Sequence, residues 1–271
     1  TASAELAAPA LQSSAVAFTV QENPGARGFI RIHPENPRYF TFEDGSTFFP
    51  VGINMGWGAE NPIADFTQWL DGLSDNGGNW IRVWMASWSF GIEWTDTCLG
   101  NYSKRLFQAW QLDQIMRLAE ERGVYVELVL INHGAFSATT NPEWPSNPYN
   151  VVNGGPCQNP EDFVTDPLAR DYFKRRLRYI AARWSASPSL MNWEWWNEAN
   201  LTPIQNPEMS AWVQEMTPVL KENDPYGHLI STSSAAGAVY AVSQLPEIDF
   251  AQFHLYSSND PATSFKDFYN D

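Results

Sequence analysis

Apolar and polar positions along the chain resolve into a repeating order of strand and helix. Residues 38–54, "RYFTFEDGSTFFPVGIN", alternate on both sides of Asp44-Gly45. That predicts a hairpin whose second strand runs on to Asn54. Next, "PIADFTQWLDGLSDNGG" spaces Ile63, Phe66, Trp69, Leu70 and Leu73 at helical intervals and stops at Gly77-Gly78. "NWIRVWMAS" is a short apolar strand, followed by a long loop carrying Trp88, Trp94 and Cys98. A helix then places Leu112, Ile115, Met116 and Ala119 on one face and ends at Gly123. "VYVELVLINHG" is the third strand, and residues 134–165 form a second long loop rich in Asn, Pro and Gly. Asp166 as N-cap and Pro167 at the first helical position open a helix that runs to about Trp184. The strand "SLMNWEWWNEA", the helix "NPEMSAWVQEMTPVLKEND" and the strand "HLISTSS" follow. A short small-residue helix and a sixth strand, "IDFAQFHLYS", complete the pattern.

Strand and helix in strict alternation imply a parallel sheet with right-handed crossovers. The long loops all follow strands, which is where a barrel of this class builds its working face. The expected fold is therefore α/β, a TIM-type (β/α)8 barrel of which about six β/α units are present. A doubly wound open sheet would need a Gly-rich phosphate turn after its first strand. "GINMGWGAE" lacks that spacing. Residues 1–20 read as a linker or as the end of an upstream β-sandwich domain, with "AVAFTVQ" as its last strand. Residues 21–271 form the barrel.

Composition narrows the partners. At 271 residues and 44% hydrophobic, the chain supports one large core. A formal net charge of -15 disfavours nucleic acid and anionic membranes and leaves neutral ligands. No apolar run reaches the length of a membrane span. The 13 tryptophans are either core or flat platforms for pyranose rings. Cys98 and Cys157 lie in no Cys-x-x-Cys or Cys/His cluster, so no metal site is expected. They suit one disulfide or two free thiols.

The expected strand ends deliver polar groups to one rim: Asn54 with Trp57; Arg82 with Trp84 and Trp88; Asn132 and His133; Asn197 and Glu198; His254 and Tyr256. Each alone has a bland reading, as a satisfied rim histidine or a bridging arginine. Their conjunction at successive strand ends is what points to a site.

"NWEWWNEAN", residues 192–200, puts two glutamates among three tryptophans. It resembles the Trp-Glu-x-x-Asn-Glu signature of retaining glycoside hydrolases of clan A, especially family 5 and its cellulase-like relatives. Arg82 in "NWIRVW", His133 in "INHG" and His254 and Tyr256 in "HLY" resemble that family's residues on strands two, three and six. The resemblance covers residues from about Gly28 to Tyr256. It implies a secreted β-glycosidase acting on a neutral β-linked glucan or mannan by double displacement, with no cofactor. It makes Glu198 the acid/base and Asn197 the holder of the sugar 2-hydroxyl. Arg82, His254 and Tyr256 would set the charge and orientation of a nucleophile carboxylate. Asn54 and His133, with Trp57, Trp88, Trp94 and Trp144 as sugar platforms, would bind substrate.

The indoles around Glu198, and the nucleophile, are expected to favour its neutral form. Glu194 lies roughly 13 Å further down the strand, too far for a retaining pair, and reads as a buried structural carboxylate. Secretion makes a Cys98–Cys157 disulfide between adjacent loops the expected pairing. The family takes its nucleophile from strand seven, yet no glutamate follows Glu247. The expectation is a barrel truncated after strand six, inactive alone, with edges covered by self-association or by a further segment. A non-catalytic carbohydrate-binding barrel is the alternative.

Overall fold

The computed structural model describes residues 17, 19, 23–235 and 241–256. Six parallel strands in chain order form one curled sheet, a half-barrel: β4 (Gly52–Gly56), β5 (Trp80–Trp84), β6 (Tyr125–Asn132), β7 (Leu190–Asn197), β8 (Leu229–Ala235) and β9 (Phe250–His254). These are the six expected strands. The helices between them are α1 (Pro62–Asp75), α2 (Leu106–Glu121), α3 (Pro167–Trp184) and α4 (Asn206–Asn223). Pro167 opens α3, and the Asp166 carboxylate caps it by accepting from Ala169 N–H. The apolar face read from α2 is buried throughout, at Leu112, Ile115, Met116 and Ala119. On α1 the stripe is narrower than its spacing suggests: Phe66 and Leu70 are buried, but Trp69 is exposed.

The hairpin differs from its expected form. β1 (Ile30–Ile32), β2 (Phe40–Phe42) and β3 (Thr47–Phe48) make a separate antiparallel sheet. β3 stops before Pro50, which has no N–H for a ladder, and β4 restarts in the parallel sheet. Ile30, Phe42 and Phe48 of this small sheet pack with Met191 and Leu229, at the starts of β7 and β8. The small sheet therefore closes the N-terminal end of the half-barrel and leaves the C-terminal strand ends for the site. The main core lies between the parallel sheet and its helices, around Trp195, Trp196, Phe173 and Trp212. Apart from Ala17 and Thr19, the strand expected at residues 15–21 lies outside the described residues, as does the helix expected after Tyr256.

The expected disulfide is absent: both cysteines are free thiols. Cys157 pairs its backbone with Tyr149 and Val151, which turns its side chain into the core. Cys98 sits at φ 66° on an exposed turn. Adjacent strands bring the two loops together, but the loops' own hydrogen bonding sends one sulfur inward and the other out.

Candidate active site

The interior of the half-barrel carries a column of polar groups along β5, β6 and β7. Arg82, on β5, is 2% exposed and can remain charged there only if paired. Its Nε donates to Glu194 Oε2 at 2.6 Å, and its Nη2 to Glu194 Oε1 at 2.5 Å. Nη2 also donates to Asn197 Oδ1 at 2.8 Å, while Nη1 is buried without a partner among the described residues. Burial works against the Arg82 charge, but the charge and hydrogen bonds of Glu194 outweigh it and hold the guanidinium's pKa above its ordinary value. Glu194 is fully buried in this clamp, the structural place its position suggested.

Lower in the column, Glu127 Oε1 accepts from Asn192 Nδ2 at 3.0 Å, from Ser231 Oγ at 2.9 Å and from Gln252 Nε2. Burial, then the charge of Glu194, pushes the Glu127 carboxyl up to about 8.

Strict alternation fails on β7. Trp195 and Trp196 are consecutive, yet both pack on Trp212 of α4. That slip returns Asn197 to the interior, where it meets Arg82. Glu198 follows in the left-handed region at φ 51°, ψ 53°, and its N–H donates to Ser233 Oγ at 2.9 Å. Few residues with a β-carbon occupy that region without local support. The turn projects the carboxylate over the C-terminal rim. Glu198 Oε1 accepts from His254 Nδ1 and from Tyr256 OH, both at 2.8 Å. Oε2 lies 3.5 Å from His133 Nδ1 and from Asn197 Nδ2.

Burial raises the Glu198 pKa, but the hydrogen bonds from His254 and Tyr256 and the charge of His254 outweigh it. The carboxyl is held below its usual range. This corrects the expectation that surrounding indoles favour the neutral form. The indoles of the motif face the helices: Trp193 Nε1 donates to Asp224 Oδ2 at 3.0 Å, and the other two pack on Trp212.

His133, His254, Tyr256, Asn197 and Arg82 are thus brought around Glu198 and Glu194. Asn54 pairs in register with Arg82 on the neighbouring strand, with its residue exposed. Trp57 and Trp88 are 42% and 49% exposed and meet edge to face at 5.1 Å, with Trp84 at 5.2 Å from Trp57. Trp144, read as a platform, is 7% exposed and packs on Phe136. Trp94 is half-buried against the core. Ser233, Ser231, Gln252, Asn141 and Glu143 belong to the site's network and were missed. The inward alternation of Ser231 and Ser233 in "HLISTSS" was the signal for the first two. Among the described residues no cluster of three metal-ligating side chains occurs.

No family model matches the chain. It is 25% identical over 257 residues to mannan endo-1,4-beta-mannosidase 3 of Oryza sativa, covering 80% of this chain and 52% of that protein. It is also 25% identical over 259 residues to a probable mannan endo-1,4-beta-mannosidase C of Aspergillus terreus, covering 82% and 59%. The chain thus spans somewhat more than half the length of these relatives. Among solved structures, a glycoside hydrolase family 5 mannosidase from Rhizomucor miehei superposes with a TM-score of 0.62 at 18% identity, covering 90% of this chain and 69% of that one. An endo-1,4-beta-mannanase from the same fungus gives 0.60 at 20% identity, covering 84% and 71%. The parallel half-barrel, its polar rim and these likenesses together identify the fold as that of the cellulase-like family 5 glycoside hydrolases of clan A.

Proposed function

We infer that this chain belongs to a retaining endo-β-1,4-mannan hydrolase with Glu198 as its acid/base. The observation that carries the reading is the presentation of Glu198. It sits in a left-handed turn at a strand end, with one oxygen held by His254 and Tyr256 and the other facing His133 and Asn197. The relatives' names supply the substrate class.

Double displacement requires the same carboxyl to be protonated in its first step and ionised in its second. Two opposing influences on Glu198 provide both states. A nucleophile carboxylate beyond the described residues, about 5 Å away in a retaining enzyme, repels charge on Glu198 and raises its pKa. Glu198 then protonates the leaving glycosidic oxygen as the nucleophile bonds to the anomeric carbon. Bonding neutralises the nucleophile. His254 and Tyr256 then hold Glu198 as the carboxylate that takes a proton from water, and the attacking hydroxide releases the sugar. Asn197 lies one residue from this carboxyl, placed to bind the 2-hydroxyl. Trp57 and Trp88, exposed beside the rim, serve as pyranose platforms. No step calls for a cofactor. A polymeric substrate places the enzyme outside the cell.

The test is Glu198→Ala in the enzyme with a complete barrel. Hydrolysis of substrates with poor leaving groups should fall roughly 10²- to 10⁴-fold. Activated aryl mannosides should lose less in the first step, and azide should restore turnover by entering the vacated space. Equal loss across leaving groups without azide rescue would remove Glu198 from the role. A wild-type barrel that binds mannan but takes no covalent label from a 2-fluoro-mannoside would instead be a binding module.

A further inference from the structure

Four side chains beyond Glu198 form a line of hydrogen bonds whose direction the end group dictates. Arg82 has only donors. The atom of Asn197 that faces Arg82 Nη2 at 2.8 Å must therefore be its oxygen. Asn197 Nδ2 is then the atom 2.9 Å from His133 Nδ1, so Nδ1 must accept. In the neutral imidazole the proton thus resides on Nε2. Nε2 lies 3.0 Å from Asn141, which must present its oxygen. The polarity runs without a break from Arg82 to Asn141, and no donor faces a donor.

Asn141 is built to end this line. Its backbone is left-handed at φ 46°, a conformation that asparagine tolerates better than most residues. Its carbonyl comes so close to Gly134 that a β-carbon there would lie 2.4 Å from it, so the loop lies directly on the His133 turn. Ser137 Oγ accepts from Thr139 and Thr140 N–H, and Glu143 N–H donates to Gly134 O at 2.9 Å. The Glu143 carboxylate bridges Asn132 Nδ2 and Ser87 Oγ. The loop is therefore tied on both sides of Asn141.

We propose that Asn141 is a positioning residue. Its side-chain oxygen holds the His133 ring as the Nε2–H form, with a bare Nδ1 turned to Asn197 and Glu198. The charged and titratable groups facing this ring are Glu198 at 3.5 Å and Arg82 through Asn197, while the Glu143 carboxylate near Gly134 is engaged by Asn132 and Ser87. His254 and Tyr256 act on the opposite oxygen of Glu198. With a neutral amide at position 141, nothing on the far side of the ring draws a second proton onto Nδ1. The ring's hydrogen bonds then fix its orientation beside the carboxyl that must gain and lose a proton. That consequence rests on the glycosidase reading, whereas the tautomer itself does not.

The experiment is NMR of this chain labelled with ¹⁵N-histidine. The sequence has four histidines, so His133→Gln assigns the signal. Wild type should show neutral His133 with its proton on Nε2, slow to exchange with water. Asn141→Gly keeps the left-handed backbone and deletes the amide, and the Nε2 proton should then exchange at least about tenfold faster. Asn141→Asp puts a charged acceptor at Nε2, and the His133 ¹⁵N signals should shift with it. A proton on Nδ1 in the wild type overturns the proposal outright. So does an unmoved His133 signal in both variants. Because no measurement uses activity, loss of the glycosidase reading and loss of this one are separable.

Discussion

Replacing Glu127 with Gln should remove a loss of stability that wild type suffers at alkaline pH. Glu127 is fully buried and receives three hydrogen bonds on Oε1, while Oε2 has no partner among the described residues. It borders a cavity of about 470 Å3 between β4 and β9. Its carboxyl titrates at about 8 in the fold against 4.5 as an ordinary glutamate, because burial and Glu194 disfavour the anion. A raised carboxyl pKa means that the folded state binds more protons than the unfolded state between these values. Stability is complete below the lower value and is lost as pH rises through the upper one. Between pH 6 and pH 9 that linkage amounts to about 2–3 kcal/mol at 1.36 kcal/mol per pK unit.

Glutamine keeps the Oε1 acceptor for Asn192, Ser231 and Gln252, puts an amide where the protonated oxygen was, and carries no charge at any pH. Urea unfolding of wild type and Glu127→Gln at pH 6 and pH 9 isolates this one group, since every other titration is shared. The variant should gain about 2–3 kcal/mol on wild type over that interval, or roughly 5–10 °C in Tm for a chain of this size. A stability difference that is equal at the two pH values would refute the reasoning.

Arg82→Met should cost about 3–5 kcal/mol in chemical denaturation, since it leaves Glu194 buried and unpaired. Adding Glu194→Gln should recover part of that loss, and strictly additive losses would break the pair assignment. With both cysteines free, a thiol reagent should modify Cys98 in the native protein and Cys157 only after unfolding. Unreactive thiols in denaturant without reductant would restore the disulfide. Trp144→Ala should lose about 3–5 kcal/mol of stability as a core truncation. Trp88→Ala should leave stability within about 0.5 kcal/mol and weaken mannan affinity, and the opposite ranking would exchange their roles.

Much of the architecture was legible because its signals are local. Helical spacing with Asp166 and the terminal glycines bounded the helices, and all six parallel strands stood out as apolar runs between breakers. The hairpin misread had a local cause too, since Pro50 ends one sheet and the chain rejoins another. The residues around Glu198 were legible as strand-end polar groups. Their pairing was not, since Arg82 meets Glu194 through a register spanning 112 residues. The indoles beside Glu198 misled because sequence adjacency suggested contact, while the slip at Trp195-Trp196 sends them to the helices. Cys98, Cys157 and Trp144 were misplaced because loop paths depend on turns such as the one that brings Tyr149 to Cys157, which no periodicity announces.

The left-handed backbone at Glu198 sets durability against chemistry at one residue. Holding an ordinary side chain in that region costs roughly 1–2 kcal/mol, and glycine there escapes the strain. Glu198→Gly should therefore make the fold firmer than Glu198→Ala while deleting the carboxyl proposed as the acid/base. A search of variants scored by heat resistance alone would drift away from glutamate at 198. One scored by turnover would return to it and have to find compensating stability elsewhere, in the core around Trp212 or in the small sheet under the strands.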